Sequence, residues 1–186
     1  MTARSHQPWI VKSRRRVFAG GPIREIAVEH VVLPDGRELS DYYAIVLSDF
    51  ALVFATSEDE RALVLRQYKH GLRRTCLAFP GGAIDRHESP LAAARRELLE
   101  ETGYESEQWR SLGSFVTNSN QGCNAAHLFV AERCRAVSAP KAPDVENPEL
   151  VLMPIAELLS ADRIAEIGLA SHAALLALAT HPALRV

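Results

Sequence analysis

The chain has 186 residues, of which 47% are hydrophobic and 24% are charged, and its formal net charge is −2. This length and composition are enough for one domain with a hydrophobic core, while the small negative charge excludes an overall positive field that would draw the chain to nucleic acid or to an anionic membrane. The first 16 residues contain no apolar core of signal-peptide length and no apolar run elsewhere approaches a membrane span, so we expect a cytoplasmic protein with no membrane partner.

The first half of the chain is predicted to form two β-hairpins. Residues 24–32 and 39–46 are rich in strand-forming residues and flank a Pro-Asp-Gly sequence that favours a turn. Residues 51–56 and 62–68 repeat this arrangement around a short polar segment. Both pairs are therefore expected to be antiparallel.

Residues 1–48 are expected to form a β-rich segment in front of a main domain that covers residues 49–186. The basic stretch at 12–16 is interpreted as part of a solvated N-terminal arm. The sequence contains no internal repeat, and nothing in it indicates a second core.

A helix is predicted over residues 90–102, after a glycine-rich entry. Ser89 is a good N-cap, and Pro90 suits the first helical position, where its missing N–H costs nothing. No helix breaker follows until Gly103, which can supply a left-handed C-cap. Before the helix, a short apolar run leads into Pro80-Gly81-Gly82, whose glycines let the backbone come close to a ligand or a metal.

The remainder of the chain is predicted to contain short strands followed by helices. The strands are placed at 109–116, 127–131 and 150–153, a Pro-rich loop at 138–148, and the helices at 155–159, 161–167 and 171–181. The three cysteines are widely spaced and form no Cys-x-x-Cys pair, which indicates ordinary reduced thiols.

Three glutamates share one face of the predicted helix. Glu97, Glu100 and Glu101 are spaced at i, i+3 and i+4, which places their carboxylates in one patch. Like charges at this spacing mildly destabilise a helix, and a bound divalent cation removes the conflict. Carboxylate oxygens suit Mg²⁺ or Mn²⁺ rather than zinc. A solvated Glu/Arg helix face, with Arg96 pairing with Glu100, is the alternative interpretation of these residues alone.

The helix belongs to a longer pattern of fixed residues, namely Gly82, Glu88, Arg96, Glu97, Glu100, Glu101 and Gly103, with Leu98 and Tyr104 at two apolar positions. Seven identities at set offsets arise by chance with a probability on the order of 10⁻⁶ per chain. Residues 82–104 resemble a complete Nudix box, Gly-x5-Glu-x7-Arg-Glu-aliphatic-x-Glu-Glu-x-Gly-hydrophobic. The resemblance implies an α/β fold, an α/β/α sandwich with a mixed sheet, and a box that binds divalent metal and hydrolyses nucleoside diphosphates linked to a second moiety.

Flanking segments resemble one branch of this superfamily, the ADP-ribose and nucleoside-diphosphate-sugar pyrophosphatases. They are Arg66-Gln-Tyr-Lys-His-Gly71, Phe79-Pro-Gly-Gly82, His127-Leu-Phe-Val-Ala131 and Glu146-Asn-Pro-Glu-Leu150. One feature departs from the branch: residues 115–122 lack the proline that its ADP-ribose hydrolases usually have beyond the box. A nucleotide sugar or another ADP-linked compound therefore stays open beside ADP-ribose as the substrate.

The resemblance implies a metal site in which Glu97, Glu100 and Glu101, with the Gly81 carbonyl and water, hold one to three Mg²⁺ ions. Such ions offset the charge of a pyrophosphate and lower the pKa of a bound water, which makes hydroxide available near neutral pH. Arg96 pairs with Glu100 or holds a loop carboxylate such as Glu88.

The resemblance also implies a general base on a loop beyond the box, and Glu146 and Glu149 are both candidates. Arg66 and Lys69 are candidate ligands for substrate phosphate, with a solvated pair at a strand end as the alternative. In this branch the N-terminal strands commonly exchange across a homodimer, so we expect a homodimer here.

Three functions remain open from the sequence. The first is Mg²⁺-dependent hydrolysis of a nucleoside diphosphate joined to a sugar or similar group, giving a nucleoside monophosphate and a sugar phosphate. The second is a Nudix pyrophosphohydrolase of another specificity, acting on dinucleoside polyphosphates, nucleoside triphosphates or a coenzyme. The third is a non-catalytic module that senses a nucleotide, which the complete set of box carboxylates argues against.

Overall fold

The computed structural model describes residues 7–141 and 148–184. The strands in this part of the chain are β1 (Ile10–Gly20), β2 (Ile23–Val32), β3 (Glu38–Leu47), β4 (Phe50–Ser57), β5 (Arg61–Lys69), β6 (Arg74–Ala78), β7 (Gly81–Ala83), β8 (Tyr104–Glu105), β9 (Gln108–Val116), β10 (Ala125–Ala136) and β11 (Glu149–Pro154). The helices are α1 (Pro90–Thr102), α2 (Ile155–Leu158), α3 (Ala161–Glu166), α4 (Ala170–Thr180) and a 3₁₀ turn at Pro182–Leu184. No helix among the described residues has the length and apolar character needed to cross a bilayer.

The N-terminal part of the chain forms a separate compact unit. It combines the residues up to Ser48 with Val116–Ala125, and it contains the three-stranded sheet β1-β2-β3. The predicted hairpin over 24–32 and 39–46 is confirmed, because β2 and β3 pair antiparallel. The segment Val116–Ala125 joins this unit through backbone hydrogen bonds, from Ile45 N–H to the Gln121 carbonyl at 3.0 Å and from Leu47 N–H to the Cys123 carbonyl at 2.9 Å.

The interpretation of residues 12–16 as a solvated arm is wrong, because they lie inside β1, which pairs antiparallel with β2. The side chains of this strand are exposed throughout, as in an arm. Arg14 forms ion pairs with Glu25 at 2.8 Å and with Glu29 at 2.5 Å across the sheet. The run of basic residues hides the strand from sequence patterns, because no alternating apolar face is present.

The second compact unit comprises Asp49–Phe115 and residues from Ala126 onward. Its eight-stranded mixed sheet has the central order β11-β5-β4-β10-β8, with β6 on β5, β7 on β4 and β9 on β10. β4 pairs in parallel with β10 and antiparallel with β5, which confirms the second predicted hairpin and the mixed sheet.

Helices cover both faces of this sheet. On one face, Ala51 and Val53 of β4 pack with Ala94 and Leu98 of α1. On the other face, Leu52 and Phe54 of β4 belong to a cluster that includes the α4 residues Leu175 and Leu176. Successive residues of β4 therefore alternate between two cores, as the strand period of two requires. This arrangement confirms the predicted α/β/α sandwich.

Helix α1 has the predicted bounds and caps. The Ser89 hydroxyl accepts a hydrogen bond from the Ala92 N–H at 3.2 Å, and Pro90 is the first helical residue. Gly103 adopts a left-handed conformation with φ 74°, and its N–H donates to the Leu99 carbonyl at 2.9 Å. The helix therefore starts and stops at fixed positions, which sets the register of every glutamate on it.

Candidate active site

Glycines bring the entry strand β7 close to both the sheet and helix α1. Gly82 pairs with Ala51 and Gly81 with Leu52 of β4. A β-carbon on Gly81 would overlap the Ala51 carbonyl oxygen, and one on Gly82 would overlap Glu97 Oε1 and lie 2.6 Å from Glu97 Cδ. Backbone atoms thus restrict residue 81 to glycine, whereas a side chain at residue 82 would displace the Glu97 carboxylate. The Glu97 carboxylate lies directly against the backbone of the entry strand.

The third glutamate of the cluster also contacts this strand. The Gly81 N–H donates a hydrogen bond to Glu101 Oε2 at 2.8 Å. A backbone amide therefore orients a carboxylate at the C-terminal end of α1. The same residue carries the carbonyl that was predicted as a metal ligand, and Gly81 is the first residue of β7.

Arg96 is the cation at the centre of the cluster. Its Nε and Nη2 donate to the two oxygens of Glu88 at 2.9 and 3.0 Å, a bidentate pair. Its Nη1 donates to Glu97 at 2.7 Å and to Glu100 at 3.2 Å, and its Nη2 also donates to the Ala83 carbonyl at 3.0 Å. The hydrogen bonds to Glu88 raise the pKa of Arg96 further above its ordinary value. Arg96 thus makes both contacts predicted from the sequence, to Glu88 and to Glu100.

The carboxylates differ in their electrostatic environment. Burial raises the pKa of Glu97, whose side chain is 15% exposed, above its ordinary value despite the hydrogen bond from Arg96. The hydrogen bonds from Arg96 lower the pKa of Glu88. The side-chain hydrogen bond from Lys141 is the main reason that the pKa of Glu100 is lowered, and the hydrogen bond from Arg96 lowers it further. Among Glu88, Glu97 and Glu100, Glu97 is therefore the carboxylate that would gain most from an additional cation.

The structure brings Glu97, Glu100 and Glu101 into one neighbourhood without arranging them as a coordination shell. Across residues 7–141 and 148–184, no three acidic, histidine or cysteine side chains converge as ligands of one metal ion. Glu97 and Glu100 are instead turned toward Arg96, and Glu101 toward the Gly81 amide. The donor set nevertheless fits a hard divalent cation, because it consists of carboxylate oxygens, one of them desolvated, beside an accessible glycine backbone.

The two candidate phosphate ligands, Arg66 and Lys69, lie on β5, and the candidate base Glu149 lies on the neighbouring strand β11. Glu149 in β11 stands directly opposite Arg66 in β5, and Lys69 ends β5. The Arg66 guanidinium forms an ion pair with Glu166 of α3 at 3.1 Å, a contact that the sequence did not predict. Glu149 is exposed, as a residue at a strand end would be. Glu146, the other candidate base, lies outside the described residues.

Two further contacts, one with the helix α1 and one with the residue before Pro80, were not predicted. Lys141 pairs with Glu100, and its N–H also donates to the Glu100 carbonyl at 2.9 Å. His172 of α4 accepts a hydrogen bond from the Phe79 N–H at 2.9 Å. Both contacts join residues far apart in the chain, so no local spacing pattern predicts them. The sequence shows only that residues 141 and 172 are a lysine and a histidine, without indicating their partners.

Comparison with known proteins gives matches over most of the chain. The family model described as the NUDIX domain matches residues 48–173. The chain is 27% identical over 135 residues to an ADP-ribose pyrophosphatase of Bacillus subtilis, covering 73% of this chain and 72% of the relative. It is 32% identical over 121 residues to a methanol dehydrogenase activator of Bacillus methanolicus, covering 63% of this chain and 62% of that relative.

A mammalian relative and a solved structure extend the comparison. The chain is 30% identical over 122 residues to an ADP-sugar pyrophosphatase of Mus musculus, covering 63% of this chain and 55% of the relative. A crystal structure of an ADP compounds hydrolase superimposes with a TM-score of 0.82, covering 95% of both chains at 19% sequence identity. At that identity, the superposition supports the fold alone.

Proposed function

The chain belongs to the Nudix family, among relatives named as ADP-ribose and ADP-sugar pyrophosphatases, and from this premise we propose that it is a Mg²⁺-dependent pyrophosphohydrolase of a nucleoside diphosphate linked to a sugar or similar moiety. The products are a nucleoside monophosphate and a sugar phosphate. The observation that carries the proposal is the carboxylate cluster of α1, in which Arg96 contacts Glu97 and Glu100 and the Gly81 amide contacts Glu101.

Glu97, Glu100, Glu101 and the Gly81 carbonyl would hold the metal, with Mn²⁺ able to replace Mg²⁺. When bound, the metal supplies charge neutralisation for the pyrophosphate and a water of lowered pKa. Arg96 orients the carboxylates of Glu97 and Glu100, and Glu88 fixes the Arg96 guanidinium in turn. The Gly81 amide keeps Glu101 turned toward the entry strand.

The remaining roles are part of the proposal. Either Glu146 or Glu149 acts as the general base that takes the proton of the attacking water. Arg66 and Lys69 bind phosphate oxygens of the substrate. Support for Arg66 comes from its place directly opposite the candidate base Glu149, which puts both residues beside one substrate.

We also propose that the protein is a homodimer that works in the cytoplasm. The N-terminal unit exposes large apolar side chains: Trp9 is 46% exposed, Phe18 49% and Tyr43 55%. Exposed apolar side chains of this size support contact with a second copy. The cysteines Cys76, Cys123 and Cys134 are all free, which supports a reducing compartment. Light scattering of the purified chain tests the dimer, and a monomer at micromolar concentration would overturn it.

The reaction is tested by a hydrolysis screen with and without Mg²⁺, read by mass spectrometry of the products. The panel contains ADP-ribose, ADP-glucose, GDP-mannose, UDP-glucose, diadenosine polyphosphates, NADH and the nucleoside triphosphates. Release of a nucleoside monophosphate and a sugar phosphate from one diphosphate sugar supports the proposal and identifies the substrate. Selective cleavage of a different class favours the second hypothesis, and no cleavage by a folded, Mg²⁺-binding sample favours a nucleotide sensor.

A further inference from the structure

His172 is a buried histidine on α4, on the opposite face of the sheet from the box helix. It is 6% exposed, and its Nδ1 accepts the hydrogen bond from the Phe79 N–H at 2.9 Å. Its ring also stacks on the Phe79 ring, with centroids 6.0 Å apart and an interplanar angle of 15°. Because Nδ1 accepts a hydrogen bond from the Phe79 N–H, the neutral ring carries its own proton on Nε2.

Phe79 begins a three-residue stretch that three different elements hold. The Phe79 N–H is bound by His172 of α4, and the Pro80 carbonyl accepts from the Val53 N–H of β4 at 2.9 Å. The Gly81 N–H then donates to Glu101 of α1 at 2.8 Å. Pro80 has no N–H, so the amides of Phe79 and Gly81 are the two backbone donors of this stretch.

We propose that His172 is a positioning residue of the carboxylate site: its Nδ1 fixes the backbone of Phe79–Pro80–Gly81 so that the Gly81 amide meets Glu101. This inference rests on the proposed function, since it assigns a cause to the orientation of a proposed metal ligand. Water cannot replace His172 as the acceptor for the Phe79 N–H, because Phe79 is 2% exposed. Without an acceptor at residue 172, the backbone must shift to satisfy that amide.

The choice of histidine is informative because packing alone does not require it. A phenylalanine or leucine would fill the space between α4 and Phe79 and belongs naturally in this apolar cluster. What histidine adds is one acceptor aimed at a backbone amide. Burial and the charge of Lys69 lower the pKa of His172 to about 4, so the ring stays neutral, and the acceptor stays available, at neutral pH.

Two substitutions separate the acceptor from the packing. His172→Asn places an amide oxygen near the former Nδ1 position and removes the ring. His172→Phe keeps a ring against Phe79 and removes the acceptor. Leu175→Ala is the matched control, because Leu175 is fully buried on the same helix but makes no polar contact with the entry stretch.

The primary readouts are amide hydrogen exchange at Phe79 and Gly81 and calorimetric Mg²⁺ affinity, both measured without substrate. We expect His172→Phe to lose the exchange protection of the Gly81 amide and to weaken Mg²⁺ binding and kcat by about tenfold or more, with a smaller change in KM. His172→Asn should stay within about threefold of the wild type in Mg²⁺ affinity. Leu175→Ala should lower the Tm and leave both the Gly81 protection and the Mg²⁺ affinity unchanged.

Several results would overturn the inference. They are wild-type Gly81 protection in His172→Phe, loss of that protection in His172→Asn, and an equal loss in Leu175→Ala. If His172→Phe does not fold, His172→Leu serves as the acceptor-free variant, and the asparagine variant stays decisive by itself. Hydrogen exchange needs neither metal nor turnover, so an inactive wild type would overturn the proposed function while leaving the role of His172 to be decided by Gly81 protection.

Discussion

The carboxylate of Glu97 occupies the space into which a side chain on Gly82 would project. Residue 82 is therefore restricted by a functional side chain from the helix as well as by its own strand pairing with Ala51. The helix and the entry strand approach closely only because no β-carbon separates them. The absence of a side chain at Gly82, the first residue of the box, therefore determines where the carboxylate of Glu97, the first glutamate of the helix, can lie.

Gly82→Ala should consequently impair the site more than the fold. The added methyl group displaces Glu97 from the entry strand, and we expect Mg²⁺ affinity and kcat to fall by about tenfold or more. The Tm should change little, because the carboxylate can move toward solvent. Gly36→Ala is a useful contrast, since nothing lies within 4 Å of a β-carbon there and its positive φ gives a purely conformational cost. Unchanged metal affinity in Gly82→Ala would contradict the prediction.

Glu101→Gln should lower turnover by a factor of about 10² or more, because it removes one charged metal ligand. The fold should persist, since the glutamine oxygen can still accept the hydrogen bond from the Gly81 amide. Glu105→Gln is the matched control, because Glu105 pairs with the exposed Arg135 outside the site. Steady-state kinetics and circular dichroism measure both effects, and full activity in Glu101→Gln would refute the assignment of this ligand.

Arg96→Lys should destabilise the protein although it keeps the charge. Lysine cannot reproduce the bidentate contact with Glu88 while also reaching Glu97 and Glu100, and we expect a loss of about 2 kcal/mol in the free energy of unfolding. Urea denaturation measures it. The same change at Arg135, in an exposed pair with Glu105, should cost close to nothing. Equal effects at the two positions would show that the central arginine is not specifically required.

Lys141→Met should increase the affinity for Mg²⁺. Lys141 competes with a metal for the Glu100 carboxylate, and its removal frees that ligand and deletes a positive charge nearby. An exposed ion pair of this kind is worth up to about 1 kcal/mol, so the dissociation constant should fall by about three- to fivefold. Calorimetry without substrate measures it, with Lys141→Arg as the charge-retaining control. A weaker affinity in Lys141→Met would place this lysine among the residues that support the metal site.

His172 should make stability depend on pH below neutrality. Its pKa is about 4 in the fold against an ordinary value of 6.5, so the unfolded chain binds the proton more readily. The stabilisation is complete above pH 6.5 and is lost as the pH falls from 6.5 to 4, by on the order of 3 kcal/mol. Denaturation at several pH values measures it, and subtracting the profile of His172→Asn removes the contributions of other groups. A difference profile that is flat between pH 7 and 4 would falsify this account.

The sequence predicts helix α1 and its glutamates well because the information there is local. Ser89 and Gly103 specify both ends of the helix, and the spacing of Glu97, Glu100 and Glu101 then fixes their common face. The two hairpins were predicted from turn residues and strand composition, and the mixed sheet from the family resemblance. The α/β/α architecture was implied by the family resemblance alone.

What the sequence could not provide depends on contacts between distant residues. β1 carries no apolar alternation, and β10 extends past the predicted 127–131 through an irregularity between Ala131 and Cys134. His172 reaches Phe79 across 93 residues, a pairing that only the packing of α4 on the sheet creates. The division of the carboxylates between Arg96, Lys141 and the Gly81 amide is likewise a product of tertiary structure.

The pairing of β3 with Val116–Ala125 has a consequence for biosynthesis. Ile45 and Leu47 obtain their carbonyl partners from Gln121 and Cys123. A nascent chain that has emerged only as far as the box helix therefore presents an open sheet edge, which can pair with the strands of other chains. The N-terminal unit can close this edge only after residue 123 has left the ribosome. A fragment ending at Ser48 would lack Val116–Ala125, and its sheet edge at β3 would stay open.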